Sequence, residues 1–326
     1  MRTRTALVAA ALAAALLGVA GCASNGSPAP AALGGAPRPA GVQDPAVIPS
    51  AAGGGAPTSC GDATASLRPP AGLPAPGNMP ANTTMAKIQA RGRLIVGTDQ
   101  NTYLFGFRNA ATGEIEGFDV DIAREVAKAI FGTADGHVQL VAISSAQRIP
   151  YLTDGKVDIV AHTMTINCQR WQQVNFSTEY YHAGQKVLVP KSSTANGIGD
   201  LGGKKVCAAA GSTSIVNIAN APSKPVPVSV PDWTDCLVML QQGQVDAIST
   251  DDTILSGLAA QDPTVKLVGD AFTAEPYGLG IAPKDDQFTR FVNGVLANIR
   301  SNGRWAAIYQ RWLSGTGTPP AAHYKD

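Results

Sequence analysis

The sequence predicts an α/β protein of two similar lobes with a polar cleft between them. Strand-like and helix-like segments alternate from about residue 84 onward, the order expected of parallel sheets with helices on their faces. That alternation occurs twice, and the stretch is long enough for two lobes of ordinary domain size. Polar residues follow one predicted strand after another, at the strand ends where open α/β sheets hold ligands.

The first block opens with a strand over 93–98 (RLIVGT). Residues 118–131 (FDVDIAREVAKAIF) place Phe118, Ile122, Val126 and Ile130 four apart, one apolar stripe of a helix. A strand over 138–143, a short helix from Ser145 to about Asp154 and a strand over 157–163 complete a βαβαβ unit, for which a parallel sheet is expected. The second block carries strands at 186–190, 205–210, 226–230, 245–250 and 265–268. One helix opens at Gly211-Ser212-Thr213-Ser214 and another spans 234–242. A strand at 279–282 and helices over 287–301 and 304–313 follow, separated by Gly303. Phe288, Phe291, Val292, Val295, Leu296 and Ile299 form the apolar stripe of the first of these helices.

The segments flanking the blocks point to a compartment. A basic start (Met1 to Arg4), a short apolar run and small residues before Cys22 read as a secretory signal over 1–21. Ala-Gly-Cys resembles the bacterial lipobox, which implies cleavage before Cys22 and a lipid on its sulfur; a plain signal with a chance cysteine is the alternative. Residues 22–84 are rich in Ala, Gly and Pro and poor in large apolar groups, so a tether is expected. As a coil, its part between Cys22 and Cys60 would average roughly 35 Å end to end. The tail, 315–326, is expected to be flexible. Four more cysteines, Cys60, Cys168, Cys207 and Cys236, suggest two disulfides in an exported protein, with three connectivities open. Cys207–Cys236 is favoured because both fall in the second block, which leaves Cys60–Cys168; buried free thiols are the alternative. A net charge of +1 with 15% charged residues and no basic run argues against nucleic acid.

Several residues invite chemistry. In TMTINCQRW, two hydroxyls, Thr163 and Thr165, precede Arg170, whose guanidinium fork matches a carboxylate. The bland alternative is a surface arginine. Ser212 and Thr213 open a helix, either as an anion site or simply as its cap. Asp251 and Asp252 end a strand and would either meet an ammonium group or cap the next helix. Arg148, after Ser145, adds a second cation; Trp233 would wall the cleft or pack in a core; Asp99 follows the first strand. No GxSxG, HExxH or P-loop pattern occurs. The four histidines show no ligand spacing, so neither a metal nor a cofactor is expected; His162, beside Thr163, is the one placed near the cleft, with packing as its favoured role.

One ordered series of motifs carries a resemblance: GFDVDIAREVAKAI, SAQRIPYLTDGKVDIV, TMTINCQRWQQVNFSTEYY, DLGGKKVCAAAGSTS, DAISTDDTIL and SNGRWAAIYQRWL. It resembles the polar amino-acid solute-binding proteins of ABC importers, in the form of an actinobacterial lipoprotein, and is nearest to glutamine and glutamate/aspartate binders. The resemblance spans about residues 85–313 and implies a type II periplasmic-binding-protein fold with two hinge crossings, near 181–186 and 275–280. The implied division is 85–183 and 277–314 for the first lobe and 184–276 for the second. It implies Arg170, Thr165 and Thr213 on a ligand's α-carboxylate, and Thr163 and Asp251 on its α-ammonium. Ser145 and Arg148 would hold a side-chain carboxylate, and Trp233 would touch the side chain. Asp99 departs from the acidic-ligand pattern and matches the amide acceptor of glutamine binders, whereas Thr102 and Ser145 stand where those proteins stack aromatics. Glutamate or aspartate is therefore expected first, with asparagine or glutamine also bound. The implied setting is an extracytoplasmic lipoprotein on the outer face of the cell membrane, partnered by permease subunits. The alternatives are a ligand sensor with the same site, or an enzyme of this fold using Asp99 as a general acid.

Overall fold

Two mixed five-stranded sheets organise the molecule, described here in a computed structural model for residues 36–48 and 59–326. The signal segment and Cys22 lie outside the described residues. Helix α1 (Thr84–Arg91) is capped by Thr83, whose hydroxyl accepts from the Ala86 N–H at 3.0 Å. Strand β1 (Leu94–Thr98) is followed by a small antiparallel sheet of β2 (Asn101–Thr102), β3 (Gly106–Arg108) and β4 (Ile115–Glu116). Then come α2 (Phe118–Phe131), β5 (Val138–Ala142), α3 (Arg148–Thr153), β6 (Ile159–Val160), α4 (Cys168–Trp171) and β7 (Asn175–Phe176). The long strand β8 (Tyr181–Pro190) leads to β9 (Lys205–Ala209), α5 (Thr213–Asn220), β10 (Val226–Val230), α6 (Trp233–Gln241), β11 (Ala247–Asp251) and α7 (Asp252–Gln261). Strand β12 (Val265–Tyr277) runs back to β13 (Gly280–Ile281), α8 (Asp286–Ser301) and α9 (Arg304–Leu313).

The strand orders are β5-β1-β6-β13-β7 and β10-β9-β11-β8-β12. Each sheet has the expected parallel part, β5-β1-β6 and β10-β9-β11. Neither is parallel throughout. β13 lies antiparallel to β6 and β7, and β8 lies antiparallel to β11 and β12. The reason is connectivity: the chain leaves the first sheet, builds the second, and re-enters the first from the opposite direction. β8 and β12 pair from Tyr181↔Tyr277 to Val265↔Pro190 and so run from one core to the other. Tyr180, Ala183 and Tyr277 pack in the first core, whereas Val187, Leu188 and Val189 pack in the second.

The helical stripes behave as their spacing requires. Phe118, Ile122, Val126 and Ile130 of α2 are fully buried. They meet Phe288, Phe291, Val292, Val295, Leu296 and Ile299 of α8, with Trp305 and Ile308 of α9. Burial of each such side chain contributes about 1.5–3 kcal/mol before chain entropy is subtracted. The C-terminal helices therefore cover the first sheet, far along the chain from the strands they protect.

The flanking segments are not loose where they are described. Gln43 pairs with Ser229 of β10 through two backbone hydrogen bonds of 2.9 and 3.0 Å, and the Ala46 N–H donates to the Pro227 carbonyl at 2.7 Å. Asp44 bonds Lys205 at 2.6 Å and Arg38 at 3.0 Å, and these cations hold its carboxyl below the usual range. On the first lobe, Cys60 is joined to Cys168, and the buried Ser66 hydroxyl donates to the Phe176 carbonyl at 2.6 Å. The tail bridges Ser66 at Tyr324, and Asp326 meets Arg68 and Arg290. The expectation of a tether over all of 22–84 and of a free tail is corrected for these residues. Composition registers how few apolar groups there are, whereas these segments are held by main-chain pairing, ion pairs and a disulfide, with Val42, Ile48, Leu73 and Met79 packed on the cores. The second disulfide, Cys207–Cys236, ties β9 to α6 inside the second core.

Candidate functional site

The two lobes meet where their parallel strands end. β1 delivers Asp99, the turn after β5 delivers Ser145 and Arg148, and the segment after β6 delivers His162, Thr163 and Thr165. From the second lobe come Gly211 and Thr213 after β9, and Asp251 ending β11. Apart from Gly211 and Thr213, all of these are buried, an unusual fate for charged groups outside a paired cluster.

Arg170 sits on α4, whose cap is Asn167; the Asn167 amide oxygen accepts from the Arg170 N–H at 2.9 Å. Its guanidinium donates to the Thr165 carbonyl at 2.7 Å and reaches the Gly211 carbonyl of the second lobe at 3.4 Å. Burial, and then the neighbouring Arg148, bring its pKa down to about 9. Arg148 is bound by main-chain carbonyls: Ser145 at 3.0 Å, His162 at 3.1 Å, Thr163 at 3.3 Å and Gly211 at 3.4 Å. It makes no ion pair among the described residues. Instead it gathers turns of both lobes around one cation.

Thr163 adopts φ 41°, a left-handed conformation costly for a β-branched residue. It is held there by its N–H, which donates to the Asp119 carboxylate at 2.7 Å. Tyr180 donates to the other Asp119 oxygen at 2.7 Å, yet burial still raises that carboxyl to about 7. Asp99 accepts from the Gln100 and Asn101 N–H groups at 2.7 and 3.0 Å and from the Thr102 hydroxyl. Asp251 accepts from the Tyr277 hydroxyl at 2.6 Å, and burial followed by the nearby Glu275 charge pushes its carboxyl up to about 8.

Glu275, on β12, joins the lobes. One oxygen accepts from the Thr165 hydroxyl at 2.7 Å and the Thr213 hydroxyl at 2.8 Å. The other accepts from Thr273 at 2.7 Å and Asn217 at 3.1 Å. Thr165 and Thr213 themselves stand 3.3 Å apart across the interface. Buried polar atoms without a protein partner lie on the same elements, Asp251 Oδ1, His162 Nδ1 and Thr98 Oγ1, and Trp233 Nε1 on α6 is a further one. His162 Nε2 faces the Ile143 carbonyl at 2.9 Å and therefore carries the proton. Burial depresses the pKa of this ring, so Nδ1 presents a lone pair. Trp233 belongs to the second-lobe core beside Ile215 and Ile254, the packing alternative of its two readings.

A model of the bacterial extracellular solute-binding proteins, family 3, matches residues 94–315. The chain belongs to this family. Among similar proteins, the glutamine-binding protein of a Bacillus subtilis ABC transporter is 37% identical over 231 residues, 71% of this chain and 84% of that one. A glutamine-binding protein of Geobacillus stearothermophilus is 39% identical over 64% of this chain and 79% of its own length. The glutamate-binding protein of Corynebacterium efficiens is 31% identical over 68% and 78%. An ancestral arginine-binding protein solved with glutamine superposes with a TM-score of 0.65 at 32% identity, covering 69% of this chain and 99% of that one. The arginine-binding protein of T. maritima, in a mutant form, gives 0.66 at 29%, with 71% and 99% covered. The fold is the two-lobed type II periplasmic-binding-protein fold, and this solute-binding protein captures a ligand rather than converting one.

The structure of this solute-binding protein brings together Asp99, Ser145, Arg148, Thr163, Thr165, Arg170, Thr213 and Asp251, and leaves Trp233 in a core. Sequence reasoning missed Glu275, Tyr277 and Asp119. Glu275 lies in the stretch that the resemblance implies as a hinge crossing, and no strand is predicted there because Gly269-Asp270 interrupts the apolar pattern after Val268. In the structure Gly269, at φ 74°, opens an irregularity in the β12 register, and the strand then resumes to Tyr277. Among the described residues no cluster of side chains is arranged to hold a metal ion.

Proposed function

We propose that this protein captures a polar α-amino acid between its lobes and delivers it to an ABC importer, held to the outer face of the cell membrane by a lipid on Cys22. One observation carries the binding reading: two buried guanidiniums and two buried aspartates converge where the lobes meet, beside polar atoms that lack protein partners. Each such atom costs roughly 1–3 kcal/mol if left unpaired, which a zwitterion can offset. Arg170 serves the ligand's α-carboxylate together with Thr165 and Thr213, and Asp251 serves its α-ammonium. The Gly211 carbonyl and Thr213 reach this point only when the lobes approach, so ligand contacts there favour the closed form.

The side-chain preference turns on Arg148 and Asp99. Most of the Arg148 donors are already engaged by carbonyls, and Asp99 keeps capacity to accept from an amide. These contacts, with the glutamine-binding relatives, favour glutamine and asparagine over glutamate and aspartate. Calorimetric titration of ligand-stripped protein with the four amino acids tests this. Tighter binding of the acids returns Arg148 to the side-chain role, and no binding by any of the four ends the reading.

Two results follow from the same assignment. At pH 7 the Asp251 carboxyl is mostly protonated, and it must ionise to pair with an ammonium. Binding therefore releases a proton, and affinity rises with pH between about 6 and 8, by up to roughly tenfold per unit. Titrations at pH 7 in buffers of different ionisation enthalpy would differ; identical heats contradict the assignment. Gly211 has φ 74°, and a Cβ there would lie 2.6 Å from the Ala146 Cα of the first lobe. Gly211→Ala should weaken binding about tenfold by obstructing lobe approach, and ligand-induced compaction in small-angle scattering should shrink with it.

A further inference from the structure

The hydroxyls assigned to the ligand's carboxylate already serve a carboxylate of the protein. Thr165 comes from the first lobe and Thr213 from the second, and both donate to the same oxygen of Glu275, at 2.7 and 2.8 Å. A hydroxyl has one proton to give. A ligand carboxylate seeking these donors must therefore take them from Glu275, while its charge is repelled by the one already there. Glu275 is well placed to compete. It is buried, and it lies on β12, the strand that runs between the cores. Its second oxygen is fixed by Thr273 and Asn217 and needs neither Thr165 nor Thr213.

We propose that Glu275 is an internal competitor of the ligand's α-carboxylate, a specificity- and affinity-setting residue that holds Thr165 and Thr213 until a ligand displaces it. This rests on the preceding assignment of those two hydroxyls to the carboxylate. The competitor lowers affinity for every α-amino acid by the same step, and its return to the hydroxyls helps expel the ligand. It also sharpens selection, since a ligand without a full carboxylate has no means of taking the hydroxyls.

The test is calorimetric titration with L-glutamine of ligand-stripped wild type, Glu275→Gln and Thr213→Val. Glu275→Gln keeps the volume and one acceptor oxygen but removes the charge. It should bind glutamine tighter, by roughly tenfold. Equal or weaker binding by a variant that melts like wild type overturns the competitor. Thr213→Val examines the underlying assignment: wild-type binding with no loss in this variant defeats that assignment, and the competitor with it. A wild type that binds none of the four amino acids defeats both. Should Glu275→Gln fail to fold, a crystal structure of the wild type with glutamine decides. Hydroxyls of Thr165 and Thr213 turned from Glu275 to the ligand support the proposal, and retained bonds to Glu275 overturn it.

Discussion

If Arg170 holds the ligand's α-carboxylate as proposed, an Arg170→Ala variant is expected to bind L-glutamine on the order of 100-fold more weakly or worse, ~2–5 kcal/mol, because truncation leaves that buried carboxylate without its charged partner. Arg170→Lys should recover only part of this, since an ammonium keeps the charge and loses the fork. The guanidinium is fixed by its bond to the Thr165 carbonyl and by the capped turn of α4, so little ordering remains to be done on binding. Isothermal titration measures the loss directly. An alanine variant that folds and binds within a few fold of wild type would remove Arg170 from the site.

The second large effect is on stability, at the same helix. Cys168 opens α4, two residues before Arg170, and is joined to Cys60 across a sequence separation of 108. Removing the pair as Cys60→Ala/Cys168→Ala is expected to cost about 2–5 kcal/mol, through the freedom regained by the unfolded chain. The Cys207–Cys236 pair closes a separation of only 29, and on loop length alone its removal should cost roughly 1 kcal/mol less. Thermal and urea unfolding of the two double variants provide the comparison. Glutamine binding by the first should also weaken, because the segment that positions Arg170 loses its covalent hold. Equal melting of wild type and the Cys60/Cys168 variant would show that the staple only decorates a structure held by other contacts.

Some of this molecule was legible in its residues, and the physical reason differs from feature to feature. The stripes of α2 and α8 were readable because one-sided burial imposes a period on neighbouring residues. The two sulfur pairs were readable as the favoured pairing, because Cys207 and Cys236 fall in one block. Arg170 stood out because a strand that should end in a plain loop runs into hydroxyls and a guanidinium. The antiparallel strands were not readable, since direction in a sheet depends on where the chain returns. The carbonyl ligands of Arg148 were hidden for a related reason: Ser145, His162, Thr163 and Gly211 offer main-chain oxygens, which every residue has. Glu275 was hidden by the interruption at Gly269, after which the strand resumes without an apolar signature. Over 36–48 and 59–84 the Ala/Gly/Pro stretch is held where freedom was expected, because composition says nothing about main-chain pairing.

That pairing bears on the open margin of the second sheet. β10 is the outermost strand of the second sheet, and a bare strand margin is a template for any other extended chain. Gln43 and Ala46 occupy its main-chain groups at Ser229 and Pro227. The protein thus uses its own leading segment as a guard strip, and a chain trimmed back to Ser59 would uncover that margin. Strand-to-strand self-association would then compete with folding. A stretch that looks like spacer between membrane and cleft is, over these few residues, a protection against aggregation.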